Sequence, residues 1–120
     1  MIKEYIYITT QVEFIHRYPD APDEVFYLRS LHRHVAHIKI KIQVFDNDRE
    51  IEFIMLKHSI DEFININAKI KDATSSISCE QFSELLLDYV INNYGSHREI
   101  EIIVSEDDEN GSELKYMPDI

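Results

Sequence analysis

The clearest pattern in the chain lies over residues 34–44. Ala36, Ile38, Ile40, Ile42 and Val44 alternate there with His37, Lys39, Lys41 and Gln43. A repeat of two residues belongs to a strand, so the segment predicts a strand with one buried face and one facing water or a partner. Residues 5–14 are rich in Ile, Tyr, Thr and Val, contain no Gly or Pro, and predict an earlier strand. Between the two, Pro19 and Pro22 forbid regular pairing, so residues 16–23 read as a loop. Residues 24–30 fit a short helical turn or an extended connection. Beyond the second strand, Asp46-Asn47-Asp48 supplies turn chemistry, and residues 50–53 read as a short returning strand.

The period then changes. Leu56, Ile60, Phe63, Ile64 and Ala68 fall at helical spacing and predict a helix over residues 55–66. Residues 72–76 form a polar loop. Ser78 stands three before Gln81, the spacing of a capping box, in which each side chain satisfies the other residue's free backbone donor. The stripe Phe82, Leu85, Leu86, Tyr89 and Val90 marks a second helix, with Gly95 as its stop. Two last strands follow, over residues 99–104 and 113–116, joined by an acidic turn that contains Asn110-Gly111. The order ββααββ predicts one α+β domain over residues 1–120: a four-stranded antiparallel sheet with both helices on one face. Such a small sheet has exposed edges and one face without helices. Pairing of copies into a barrel removes both problems, with the Lys39/Lys41 face inside a homo-oligomer.

Composition narrows the partners. The 120 residues carry 23 acidic and 12 basic side chains, a net charge of −11. No surplus of Lys and Arg is available to neutralise phosphates along DNA, RNA or an anionic membrane. A pocket for one small anion stays open, because two or three placed arginines can overcome the background field. Cys79 is the one cysteine, so disulfide scaffolds and Cys-rich zinc folds are excluded and a reducing compartment is the expected setting. No apolar run approaches the ~20 residues that span a bilayer. The opening Met-Ile-Lys-Glu-Tyr does not read as a signal peptide, so a cytoplasmic location is expected.

Three histidines carry the most distinctive chemistry. His32 and His34 are two apart at the head of the second strand and share a face; His16 ends the first strand, where antiparallel pairing brings it beside them. Three imidazoles with a fourth position open make a zinc site of catalytic type. The alternative is that they are polar residues ending strands beside a loop. Asp20, Asp23 and Glu13 are the acidic residues placed to orient the rings.

His16-Arg17-Tyr18-Pro19 and Leu31-His32-Arg33-His34 resemble motifs of the 6-pyruvoyltetrahydropterin and 6-carboxytetrahydropterin synthases. In that family a histidine ending the first strand and a Leu-His-Gly-His motif bind zinc. Glu52-Phe53-Ile54-Met55-Leu56-Lys57 is similar to its Asp-Phe-X-X-Leu-Lys pattern, and Ser78-Cys79-Glu80-Gln81 to the start of its second helix. Val104-Ser105-Glu106 resembles the strand end whose glutamate grips a pterin. The resemblance implies the tunnelling fold, which has the ββααββ order and assembles with ligand sites between subunits. The catalytic pieces do not match. The family's cysteine is missing from Phe26-Tyr27-Leu28-Arg29-Ser30, Cys79 lies at a helix start instead, and residues 65–73 contain no histidine to shuttle protons. Arg33 replaces the glycine between the metal histidines.

A more specific resemblance is to the phage anti-Thoeris sponges. It rests on Thr9-Thr10-Gln11-Val12-Glu13-Phe14, His16-Arg17, Asp20-Ala21-Pro22-Asp23-Glu24-Val25, Leu28-Arg29, Leu31-His32-Arg33-His34 and Asn47-Asp48-Arg49-Glu50-Ile51-Glu52-Phe53. It implies a non-catalytic, homo-oligomeric trap, a dimer or a trimer of dimers, in the cytoplasm of an infected bacterium. The trap binds glycocyclic ADP-ribose, the messenger made by TIR proteins, and blocks Thoeris defence. Some such proteins also hold cyclic oligonucleotides at a separate site. No cofactor is required; zinc is possible at His16, His32 and His34, where partial or absent metal is expected.

A cyclic ADP-ribose calls for an aromatic platform, amide hydrogen bonds and guanidinium forks for its phosphates. For such a ligand Phe82 is the candidate platform and Asn92 the candidate amide, with Arg29, Arg98 and Lys57 supporting the anion. Phe82 also belongs to the apolar stripe of the second helix, Asn92 to a helix end, and a surface arginine is often only solvated or salt-bridged.

Overall fold

The computed structural model describes residues 1–67, 70 and 76–119. Its elements are β1 (Glu4–His16), a 3-10 helix (Asp23–Arg29), β2 (His32–Val44), α1 (Phe53–Ile66), α2 (Cys79–Tyr94), β3 (Ile100–Glu106) and β4 (Asn110–Tyr116). The strands form one antiparallel sheet in the order β1-β2-β3-β4. The fold is therefore α+β. Among the described residues no helix is long and apolar enough to cross a membrane.

The alternation on β2 does what its period requires. Ala36, Ile38, Ile40, Ile42 and Val44 are all buried, and the register sets Ile40 between Ile8 and Ile102. The even-numbered residues of β1, β2 and β3 thus form one apolar face. Leu56, Ile60 and Ile64 of α1 and Phe82, Leu86 and Val90 of α2 pack onto it, α1 over β1 and α2 over β3 and β4. Burial of these large aliphatic side chains is the main force holding the layers together, at roughly 1.5–3 kcal/mol each. Both helices share that face. The opposite face carries Lys39 over the Tyr7 ring and Lys41 over the Tyr5 ring.

Local signals fix the helix ends. Ser78 Oγ accepts from the Gln81 amide at 3.1 Å, and Gln81 Oε1 accepts from the Ser78 amide at 3.0 Å, completing the capping box. Gly95 stops α2 with a φ of +102°, which a side chain tolerates poorly.

Several expected boundaries move. Residues 50–53 do not return as a strand. Glu52 caps α1 by accepting from the Ile54 amide at 2.8 Å, so the helix starts at Phe53. The Glu50 carboxylate accepts from the Phe45 and Asp46 amides at 2.7 and 3.0 Å. These acidic side chains satisfy backbone donors that a strand partner would otherwise take. Of residues 24–30, those up to Arg29 take the helical alternative, as 3-10 turns kinked at Val25, and Ser30 is extended. β1 runs on to His16 and β2 starts at His32, so both strands reach the histidines. The turn into β4 is Asp107-Asp108-Glu109, with φ of 55° and 58° at the two aspartates, and Asn110-Gly111 already belongs to the strand. At Gly111 a Cβ would stand 2.1 Å from the Val104 carbonyl oxygen, so the strand closes against β3 only with glycine there. Ala68 of the α1 stripe and residues 72–75 of the expected polar loop lie outside the described residues.

Candidate functional site

The alternation that builds the core also builds the site. His16, His32, His34 and Glu106 are even-numbered ends of the same three strands, and they occupy the helix-covered face where the aliphatic residues run out. Register places His16 opposite His32, His34 opposite Phe14, and Glu106 opposite Ala36. The imidazole centroids stand 4.5 Å apart for His16 and His32, 4.9 Å for His32 and His34, and 5.3 Å for His16 and His34. One ring nitrogen from each lies within 4.8 Å of the other two. Phe14 packs edge-on against His16 at 4.6 Å and floors the cluster.

Each ring is oriented through Nδ1. That atom meets the Ile77 carbonyl in His16 at 2.9 Å, the Ser30 carbonyl in His32 at 2.9 Å, and Asp107 Oδ2 in His34 at 2.6 Å. A carbonyl or carboxylate oxygen only accepts, so Nδ1 carries the proton and the neutral ring keeps its lone pair on Nε2. In His16 and His34 that Nε2 is buried without a hydrogen-bond partner among the described residues. Burial lowers the His16 pKa, against the opposing pull of the Ile77 carbonyl and Glu106, and so favours the neutral, ligating form. The Asp107 carboxyl is held below its usual range by the Val35 amide first and His34 second. Three oriented imidazoles with bare Nε2 atoms fit a borderline-soft metal such as zinc, and these are the residues that could hold one.

The three acidic residues expected to orient the rings lie elsewhere. The orienting carboxylate is Asp107; Glu13 instead pairs outward with Arg33 at 3.7 Å and Asp23 with Arg29 at 2.8 Å, while Asp20 is exposed in its loop. Glu106 lies inside the cluster, Oε1 3.4 Å from His16 Nε2 and Oε2 3.3 Å from His34 Nε2. Cys79 Sγ stands 3.8 Å from Glu106 Oε1. Burial, then the Glu106 charge, push its thiol up to about 12, so it stays protonated at neutral pH.

A cleft of about 590 Å³ opens beside the cluster, lined by His16, His32, Arg17, Tyr18, Cys79 and Glu106 among others. Arg17 differs from the other four arginines. Arg29, Arg33, Arg49 and Arg98 are paired with Asp23, Glu13, Asp48 and Glu50. Arg17 has neither a carboxylate nor a hydrogen-bond partner among the described residues, and it is exposed beside the half-exposed ring of Tyr18.

The ligand candidates named from sequence do not gather here. Phe82 is fully buried, its ring edge-on to Phe14 at 6.0 Å, so no face is open for stacking. It is a core residue. Arg29 is turned into its own loop, donating to the Ala21 carbonyl through Nε and Nη2 at 2.9 and 2.7 Å. Asn92 is exposed near the far end of α2, about 20 Å along the helix from Cys79. Arg98 lies at the opposite end of the sheet, bound to Gln43, Tyr94 and Glu50. Lys57 is exposed on the first turns of α1. What sequence reasoning missed is Tyr18 beside Arg17, although both lie in the motif that holds His16. No family model matches the chain, and no curated protein matches it.

Proposed function

We propose that this chain is a non-catalytic, homo-oligomeric sponge of tunnelling-fold type. It takes up a cyclised ADP-ribose messenger of the glycocyclic kind, holds it unchanged in the host cytoplasm, and so blocks Thoeris defence. The reading starts from the runs that resemble anti-Thoeris sponges. The observation that carries its ligand part is Arg17, the one arginine without an acidic partner among the described residues, at a cleft of about 590 Å³. A cavity of that size suits a nucleotide, and Arg17 offers a free guanidinium fork for its pyrophosphate. Tyr18 supplies the ring that Phe82 cannot. The protonated Cys79 thiol supports binding without turnover, because only a thiolate is a competent nucleophile. Subunits meet through the helix-free sheet face that bears Lys39 and Lys41.

The purified protein, mixed with glycocyclic ADP-ribose, freed of unbound nucleotide and then heated, is expected to release the messenger intact and in stoichiometric amount. Recovery of a cleaved product, or absence of binding at micromolar concentration, would reject the proposal.

A second reading is favoured by one observation, the common orientation of three imidazoles through Nδ1. It makes the chain a zinc-dependent enzyme like the 6-pyruvoyl- and 6-carboxytetrahydropterin synthases. Product formed from dihydroneopterin triphosphate by the zinc-loaded protein would establish it over the sponge.

A further inference from the structure

Apart from the weak bond that the Cys79 thiol donates to Oε1 at 3.8 Å, the Glu106 carboxylate faces two groups that give it no proton. His16 and His34 direct their Nδ1 hydrogens at Ile77 and Asp107, so in the neutral rings the Nε2 atoms turned toward Glu106 are lone pairs. Each carboxylate oxygen has one such nitrogen, at 3.4 Å for His16 and 3.3 Å for His34, and neither contact is a hydrogen bond. An anion between two buried lone pairs is repelled, and a cation among them turns that repulsion into attraction. The spacing is informative too. With metal–ligand bonds of about 2.0–2.1 Å, neighbouring donor atoms of a tetrahedral centre stand about 3.4 Å apart. Each Glu106 contact has about the length of a coordination edge, but to a different oxygen, so the carboxylate turns for one oxygen to serve both nitrogens.

We propose that Glu106 is the fourth protein ligand of the metal held by His16, His32 and His34, so that the centre is a closed His3Glu site. The inference rests on the metal reading of the three histidines. It gives Glu106 a role different from gripping a heterocyclic ligand, and it leaves no coordination position for water or substrate. A closed centre is structural. It ties β1, β2 and β3 together beside the cleft, with three neutral imidazoles and one carboxylate against a divalent ion.

The test uses the whole chain, wild type and Glu106→Gln, with zinc affinity measured by chelator competition and melting followed with and without zinc. Loss of the carboxylate is expected to weaken zinc by about 100-fold or more, at or beyond what loss of a supporting group causes. In the metal-free protein the same change is expected to hold or raise Tm, because a neutral amide that can donate replaces an anion facing lone pairs; with zinc bound it lowers Tm. The visible spectrum of the cobalt-loaded wild type is expected to ignore added azide, and that of Glu106→Gln to respond to it. Unchanged zinc affinity in the variant, or an azide-sensitive wild type, overturns the fourth-ligand assignment while leaving the three histidines as ligands. A variant destabilised equally without metal overturns it as well, since Glu106 then acts through an imidazolium proton. Failure of the wild type to take up zinc or cobalt overturns the metal reading itself.

Discussion

At the far end of β2 the guanidinium of Arg98 is used up by the fold. Its Nε donates to the Tyr94 carbonyl at 2.8 Å, Nη1 to the Gln43 carbonyl at 3.0 Å, and Nη2 pairs with Glu50 at 2.5 Å, with the Phe45 ring 5.3 Å below. About 30 Å along the same strand, His34 presents a buried Nε2 with no hydrogen-bond partner among the described residues, and Arg17 reaches the cleft with no acidic partner among them. Both ends belong to one sheet, and both carry arginine and glutamate. The difference is that one end closes its polar accounts internally and the other leaves them open. A buried acceptor without a partner is unfavourable, so a fold that retains two at one place, Nε2 of His16 and of His34, points to a use for them there. This contrast, more than residue type, separates the candidate site from the scaffold.

The largest effect should come from the closed end. Arg98→Ala removes a nearly buried cation and leaves the Gln43 carbonyl and the Glu50 carboxylate without it, which is expected to lower stability by about 3 kcal/mol. Chemical denaturation gives that figure, and zinc and nucleotide affinity measured on the folded fraction should not change. If binding falls while stability holds, the two ends are not separable in this way.

The same network sets an acid response. The Phe45 and Asp46 amides first, and Arg98 after them, hold the folded Glu50 carboxyl down at about 2, against 4.5 for the ordinary group. The unfolded chain therefore binds a proton there before the folded one does. Stability from Glu50 is complete above pH 4.5 and is lost as pH falls from 4.5 toward 2. Glu50→Gln should flatten the acid-unfolding curve across that window. A variant with the wild-type pH dependence would mean that the depression is not exerted in the folded state.

Arg17→Ala is the converse at the open end. It should weaken binding of glycocyclic ADP-ribose by about 10- to 100-fold, as loss of a charge-assisted bond does, with stability within about 0.5 kcal/mol. Equilibrium titration and a melting curve on one preparation provide both readings. Nucleotide affinity unchanged by the substitution would remove Arg17 from the binding surface.

Much of this contrast is legible in the sequence, and the part that is not has identifiable causes. Alternation on β2 and the Ser78/Gln81 spacing are short-range signals, and the structure obeys both. The convergence of His16, His32 and His34 follows from strand pairing alone. The strand expected at residues 50–53 failed because Glu50 and Glu52 satisfy backbone amides through their side chains, which a hydrophobic pattern does not register. Phe82 looked available at a helix start, but Phe14 beneath it decides its burial, and that contact is set by the register of another strand. The groups that orient the histidines include the backbone carbonyls of Ser30 and Ile77, which every residue possesses and no side-chain pattern marks. Asp107 was within reach, since it follows the strand-ending Glu106, but its role depends on a turn with positive φ.

Ser78 gives the finest test, because it lies at the open end and yet is fully partnered. Its hydroxyl accepts from Gln81 and its amide donates to the Gln81 side chain, beside the cleft that Arg17 lines. If position alone defined the site, Ser78→Ala would act like Arg17→Ala and weaken nucleotide binding. If unsatisfied groups define it, Ser78 behaves as a cap. The substitution then lowers stability by about 1 kcal/mol, the usual effect of removing a serine N-cap, and leaves nucleotide affinity within about threefold. Urea titration paired with binding titration separates these outcomes. A loss of affinity greater than the loss of stability would extend the ligand surface onto the α2 N-terminus and blur the line drawn between partnered and unpartnered groups.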